Sequence, residues 1–181
     1  MTSRDLTFIV GGARSGKSAH AERLAVASGR PVTYVATARI GDDEFAARVA
    51  HHRARRPAHW QLTEAPLDLA AALDAAAAPG RCVLIDCLTL WLANLLCPPE
   101  GAAPPDDWCG YVDAFAAACE RARGTVIVVS NEIGLGVVPL GAATREYVDE
   151  LGRLNQRIAA LADRATLIVA GLPVALKERA R

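Results

Sequence analysis

Eight residues, "GGARSGKS" at 11–18, constrain this chain more than any other stretch. They fit G-x-x-x-x-G-K-[ST] through Gly11, Gly16, Lys17 and Ser18. A short apolar run, "LTFIV" (6–10), stands directly before them, and a helically spaced run, "KSAHAERLAVAS" (17–28), directly after. Strand, glycine loop and helix in that order make a phosphate cradle. The glycines let backbone N–H groups curl round an anion, and the helix N-terminus adds partial positive charge. Lys17 can reach the outer phosphates as a point charge, and the Ser18 hydroxyl can hold Mg²⁺. The plainer alternative is a Gly-rich turn closed by an N-cap serine. The flanking strand and helix favour a nucleotide.

The rest of the chain must then supply a parallel sheet, and it does. Apolar runs at 31–37, 81–87, 125–130 and 165–171 are expected strands, with 172–178 a possible last edge strand. Between them, 42–56, 67–78, 88–96, 111–123 and 144–164 have helical spacing, and 97–108 is a Pro-rich loop. The expected fold is α/β: a single-domain P-loop NTPase over residues 1–181, its mostly parallel sheet covered by helices on both faces.

Bulk properties remove several function classes. Equal numbers of basic and acidic residues leave a formal net charge of zero, which argues against a nucleic-acid or membrane-surface binder. No apolar run nears the roughly 20 residues of a membrane span. "MTSRDLTFIV" has too short an apolar run for a signal peptide. The five cysteines form no C-x-x-C, so neither a disulfide scaffold nor a zinc site is expected. A reducing cytoplasm fits them.

Nucleotide chemistry needs an acid at a neighbouring strand tip. Asp86 ends "CVLI" and suits a Walker-B role, holding Mg²⁺ directly or through water. It suits equally well the N-cap of a helix starting near Leu88. The tips at Thr37 and at Ser130-Asn131-Glu132 should open on the same crevice, because ligands of open parallel sheets sit at the carboxyl ends of strands.

"VAHHRARRPAHW" (49–60) gathers three of the four histidines of the chain. On a helix, His51 shares a face with Arg48 and Arg55, and His52 shares the next with Arg56. A neutral imidazole is a competent nucleophile toward phosphorus. Nearby guanidiniums disfavour its protonation and can clamp the phosphates under attack. The alternative is a solvated basic helix end. Beside a nucleotide loop, the nucleophile reading is preferred, and it means nucleotidyl transfer through a histidine. A metal site is disfavoured, because His51 and His52 point about 100° apart on a helix.

The stretches "GGARSGKS", "YVAT", "DDEFAARVAHHRARRPAHW", "NEIGLGVVP" and "GRLNQRIAALAD", in this order, resemble the bifunctional adenosylcobinamide kinase / adenosylcobinamide-phosphate guanylyltransferase family of cobalamin biosynthesis. The likeness runs from about Phe8 to Lys177. It implies a RecA-like P-loop fold, a homotrimer and two reactions. ATP or GTP phosphorylates adenosylcobinamide. GTP then guanylylates a histidine, pyrophosphate leaves, and GMP passes to adenosylcobinamide phosphate. The guanylylated histidine falls on His51. The nucleotide contacts fall on Gly11, Gly12, Ala13, Arg14, Ser15, Gly16, Lys17 and Ser18, on Ala36, Thr37 and Ala38, on His52, Arg53, Ala54 and Arg55, on Glu64 and on Asp86. Mg²⁺ falls to Ser18 and Asp86. Glu64 is a candidate for guanine selection, since a carboxylate accepts from the N1–H and N2–H₂ edge that adenine lacks. Asn131, Glu132 and Trp60 are left as loop caps and core.

Two other classes compete: a P-loop small-molecule kinase without nucleotidyl transfer, and an ATPase module that drives a nucleic acid or a protein. Zero net charge and the lack of a second domain disfavour the last.

Overall fold

A computed structural model describes residues 4–39, 56–98 and 103–178. Residues 42–55 of the expected helix over 42–56, with His51, His52, Arg53, Ala54 and Arg55, lie outside the described residues.

Seven strands form one sheet in the order β3-β2-β4-β5-β1-β6-β7. They are β1 (Asp5–Gly11), β2 (Val32–Ala36), β3 (Gln61–Glu64), β4 (Cys82–Asp86), β5 (Thr125–Asn131), β6 (Arg164–Val169) and β7 (Leu172–Lys177). The first six are mutually parallel, and β7 returns antiparallel beside β6. Five helices are described: α1 (Lys17–Ala27), α2 (Leu69–Ala76), α3 (Leu88–Leu96), α4 (Trp108–Arg121) and α5 (Ala142–Leu161). One strand, β5, separates the phosphate-loop strand β1 from β4, which carries Asp86.

Strand side chains alternate between faces, so the sheet has two cores. Leu6, Phe8, Val83, Ile85, Val126 and Val128 point to one face, where α2 to α5 cover them with Leu73, Trp91, Phe115, Leu154 and Ile158. Ile9, Tyr34, Leu84, Ile127 and Val129 point to the other, where Ala21 and Ala25 of α1 meet them. Small residues let α1 lie close on the sheet. Trp91 is fully buried, tilted against Phe115 at 5.3 Å between ring centroids, and its indole N–H donates to Leu67 O at 2.7 Å.

Two departures from the sequence reading have physical causes. β3 was not expected: "QLTE" has no apolar run and is mostly exposed at the sheet edge, where its pairing with β2 supplies the order. α4 starts at Trp108 rather than 111, because Asp107 caps it by accepting from Gly110 N at 2.8 Å. β7 is an edge strand, as supposed. Its two-residue turn, Ala170-Gly171, has both φ values positive, which suits hairpin twist, and Pro173 is tolerated on the open edge.

Candidate functional site

The parallel strands end on one rim, and the register fixes what stands there. Glu64, Ala36, Asp86 and Val129 form one row across β3, β2, β4 and β5. Gly11 pairs with Asn131 two residues further along β5.

The phosphate loop leaves β1 at Gly11. A Cβ on Gly11 would lie 2.6 Å from Ile168 O and 2.7 Å from Ser15 Oγ, so only glycine lets the loop fold back against β6. Gly16 has φ 95, and its added Cβ would meet Gly171 Cα at 3.3 Å. The β6–β7 turn thus packs on the loop, and Gly171 N donates to Ser15 O at 2.9 Å. Arg14 is also left-handed, at φ 55. Left-handed residues set among right-handed ones turn successive N–H groups to a common concave side, the geometry of an anion nest. Gly12, Ala13 and Arg14 are exposed on it, while Ser15 is half-buried. Lys17 opens α1 with its stem buried, and its Nζ donates to Gly12 O at 3.1 Å, which holds the ammonium over the loop. Ser18 follows on the first turn, half-buried.

Asp86 does not cap the next helix. The N-cap of α3 is Cys87, with no side-chain cap bond. The Asp86 carboxylate instead accepts from Tyr34 Oη at 3.1 Å. Tyr34, two residues before Ala36, projects on the α1 face with Asp86. Burial first, and the Asp86 charge second, push the Tyr34 phenol far above its ordinary range, so it stays a donor. The Arg56 guanidinium lies 4.0 Å over the Tyr34 ring centre, a cation–π contact. Burial, helped by the same carboxylate, raises the Cys87 thiol to about 11, so it is no nucleophile.

Thr37 has no side-chain atom to offer a ligand. It is fully buried; its hydroxyl donates to Cys87 O at 2.8 Å and accepts from Cys87 N at 2.9 Å. Its carbonyl accepts from Asn94 Nδ2 at 2.7 Å, and Asn94 also donates to Pro66 O at 3.0 Å. Thr37 therefore ties the β2 tip to the β4 tip and sets Asp86. Thr37→Val should leave the buried Cys87 N–H unpaired, while Cys87 O keeps its bond from Trp91 N at 3.2 Å, and should lower stability by about 1–3 kcal/mol, with Thr37→Ser much milder. Urea unfolding checks this; an unchanged midpoint in Thr37→Val would refute the clamp.

Ala36 and Ala38 are half-buried beside Thr37, and Ala36 O accepts from Ala65 N at 2.8 Å. Glu64 is exposed at the tip of β3. The sheet thus brings Gly11 to Ser18, Ala36 to Ala38, Glu64 and Asp86 to one rim. Trp60 is core, as expected. Glu132 caps its loop by accepting from Gly134 N at 3.0 Å.

Sequence reasoning passed over Tyr34, Thr89, Asn94 and Asn155. Tyr34 carried a signal, its even spacing from Ala36 on an expected strand. Thr89 and Asn94 sit inside a helix where no motif marks them, and Asn155 lies in the quoted "GRLNQRIAALAD" stretch without an assigned role. Thr89 Oγ1 accepts from Asn131 N at 2.8 Å, Tyr147 Oη donates to Thr89 O at 2.7 Å, and Asn155 Nδ2 donates to Asn131 O at 2.9 Å.

Arranged in this way, the rim can grip a polyphosphate and hold a carboxylate beside it. No described helix is long and apolar enough to cross a membrane. Among solved structures, the assembled ATPase EscN of the enteropathogenic E. coli type III secretion system aligns with a TM-score of 0.55 at 12% identity, over 92% of this chain and 43% of that one. The chain thus spans less than half of that ATPase, and the likeness is one of fold, the RecA-like P-loop arrangement. Closer relatives are full-length. The bifunctional adenosylcobalamin biosynthesis protein CobP of Pseudomonas aeruginosa is 55% identical over 96% of this chain and 97% of its own. CobU of Salmonella typhimurium, described by the same words, is 40% identical over 95% and 99%. The family model for cobinamide kinase / cobinamide phosphate guanyltransferase matches residues 7–176. The chain belongs to that family, as a bifunctional kinase and guanylyltransferase of adenosylcobalamin biosynthesis.

Proposed function

We propose that both reactions run at the strand-tip rim and that the second passes through His51. In the first, the phosphate loop binds ATP or GTP and the γ-phosphoryl group goes directly to the aminopropanol hydroxyl of adenosylcobinamide. In the second, His51 attacks the α-phosphorus of GTP, pyrophosphate leaves, and GMP passes from the histidine to adenosylcobinamide phosphate, giving adenosylcobinamide-GDP. The observation that carries this reading is the convergence of the phosphate nest, Lys17 and a Tyr34-held Asp86 on one rim, in a chain whose sequence adds "HHRARR".

Incubation with GTP labelled at the α-phosphate tests it. Label that survives denaturation, is lost in acid and is stable in alkali is the expected signature of a phosphoramidate. No protein-bound label would leave a kinase only.

Mg²⁺ suits the residues present. Among the described residues no three His, Cys, Asp or Glu cluster as for a tightly ligated metal. Ser18 on α1 and Asp86 at the β4 tip give instead the sparse oxygen set that Mg²⁺ accepts when phosphates and water complete its shell. When bound there, Mg²⁺ supplies charge neutralisation at the phosphates. The work of Asp86 and Tyr34 is to keep one carboxylate oriented toward it.

Glu64 is proposed to read guanine. It stands four strands from Gly11, roughly 19 Å at about 4.8 Å per strand, so a nucleotide read by both must lie along the rim. Glu64→Gln should lower the GTP-to-ATP ratio in guanylylation, because one acceptor for the base edge becomes a donor. An unchanged ratio in competition labelling would exclude this role.

A homotrimer and a cytoplasmic setting complete the reading. Leu140 and Val137, 99% and 96% exposed, with Leu172, Val174 and Leu176 of β7, are apolar side chains of the kind that oligomers bury. All five cysteines are free thiols.

A further inference from the structure

Core packing does not account for β7. All six of its residues are exposed, and none belongs to either core. The strand is nevertheless tied at both ends. Near its C-terminus, Lys177 Nζ donates to Ala159 O at 3.1 Å and to Ala160 O at 2.8 Å, in the last turn of α5. At its start, the Ala170-Gly171 turn lies against the phosphate loop, with φ 51 and φ 80.

That second contact is directional. Gly171 N–H donates to Ser15 O at 2.9 Å. A trans peptide is planar, and its C=O and N–H point opposite ways. With Ser15 O turned to the β6–β7 turn, the N–H of Gly16 in the same peptide is turned away from it, toward the concave side of the nest. Nothing local enforces this orientation. Gly16 has φ 95, and glycine crosses between positive and negative φ at little cost. A flip of the Ser15–Gly16 peptide would put a carbonyl where an anion needs a donor. A stiffer residue does not fit at the position, because a Cβ on Gly16 would crowd Gly171 Cα at 3.3 Å. The restraint therefore has to come from outside the loop, and the β6–β7 turn supplies it.

We propose that Gly171 is a positioning residue for the phosphate loop. Its N–H locks the Ser15–Gly16 peptide so that Gly16 N–H stays aimed at the phosphates of the nucleotide, and β7 serves to hold that N–H in place. The proposal rests on the phosphate loop binding the nucleotide.

The test uses Gly171→Val and Gly171→Asn in the full chain, labelled with ¹⁵N-glycine and titrated with GDP and Mg²⁺. Calorimetry reads the affinity, and the amide spectrum reads Gly16. A Cβ at Gly171 meets no atom within 4 Å, so both side chains have room and the variants differ in backbone preference. Asparagine tolerates the left-handed conformation, and valine does not. The wild type and Gly171→Asn should bind GDP within about twofold of each other, each with a downfield shift of the Gly16 amide. Gly171→Val should lose about tenfold to hundredfold in affinity, the range for a hydrogen bond to a charged group, and most of that shift. Gly171→Ala should fall between them and gives the same comparison if the valine variant fails to fold. A lower melting temperature in Gly171→Val with unchanged GDP affinity overturns the proposal, since the turn is then only structural. So does an equal loss in the asparagine and valine variants, or a weakened valine variant that keeps the full Gly16 shift. A wild type that binds no GDP overturns the phosphate-loop reading itself, and the lock with it.

Discussion

Lys17→Ala is expected to slow the kinase step by about 10²–10³-fold, the cost of removing one preorganised charge donor from a site shielded from water. The side chain is 9% exposed and its Nζ lies 3.1 Å from Gly12 O, so the ammonium is already placed over the nest. Attack on a γ-phosphoryl group pushes negative charge toward the leaving oxygens, and a fixed cation there needs no reorganisation when that charge develops. Removal of the buried stem also opens space beside the loop, so Lys17→Met is the matched control. Methionine keeps most of the apolar stem and lacks the charge. Both variants should lose the rate, and Lys17→Met should keep the wild-type melting temperature. Steady-state phosphorylation with ATP and with GTP, together with thermal unfolding, checks this. A wild-type rate in either variant would show that the loop does not serve the kinase.

How much of this was legible beforehand differs by element. Where one local interaction decides, the sequence spoke clearly. The phosphate loop is such a case, because the glycines, the preceding apolar strand and the following helix are contiguous, and the left-handed geometry of Gly16 is local to it. The parallel core strands are another, since burial on both faces demands continuous apolar runs such as "CVLI" and "VIVV". β3 is the contrary case. "QLTE" becomes a strand only because β2 offers it an open edge, and no property of those four residues announces the partner. Thr37 shows the same limit at the site. Its position at a strand tip was readable, but its hydroxyl is spent on Cys87, fifty residues away in sequence, and only folding brings the two together. Asp86 stood between two roles on sequence alone. Tyr34 separates them: the carboxylate faces a phenol on the α1 face while Cys87 takes the cap position. Spacing on two strands could have suggested that pair, had the register between β2 and β4 been known.

His51→Ala is expected to abolish guanylylation and to leave most of the kinase activity. The two steps differ in what they ask of the protein. Phosphoryl transfer to a substrate hydroxyl needs positioning and charge, which the loop, Lys17 and Asp86 are proposed to supply without a covalent intermediate. Guanylyl transfer through the enzyme splits one displacement into two, and without its nucleophile neither half has a path. Alanine is a good helix former, so the helix that the sequence predicts for this stretch should tolerate the change. His52→Ala is the informative partner. On a helix its imidazole points about 100° away from that of His51, so it can contribute binding but not the same attack. It should lower guanylylation only modestly and still take label from α-labelled GTP. Both readouts come from one preparation: acid-labile label on the protein for the first half-reaction, phosphorylated corrinoid for the kinase. Label retained by His51→Ala would remove the residue from the mechanism. Label lost only in His52→Ala would keep the chemistry and move the nucleophile to the next helix face. Loss of kinase activity together with label in His51→Ala, with an unchanged melting temperature, would mean that the histidine serves nucleotide binding in both steps and that the two reactions share one pocket.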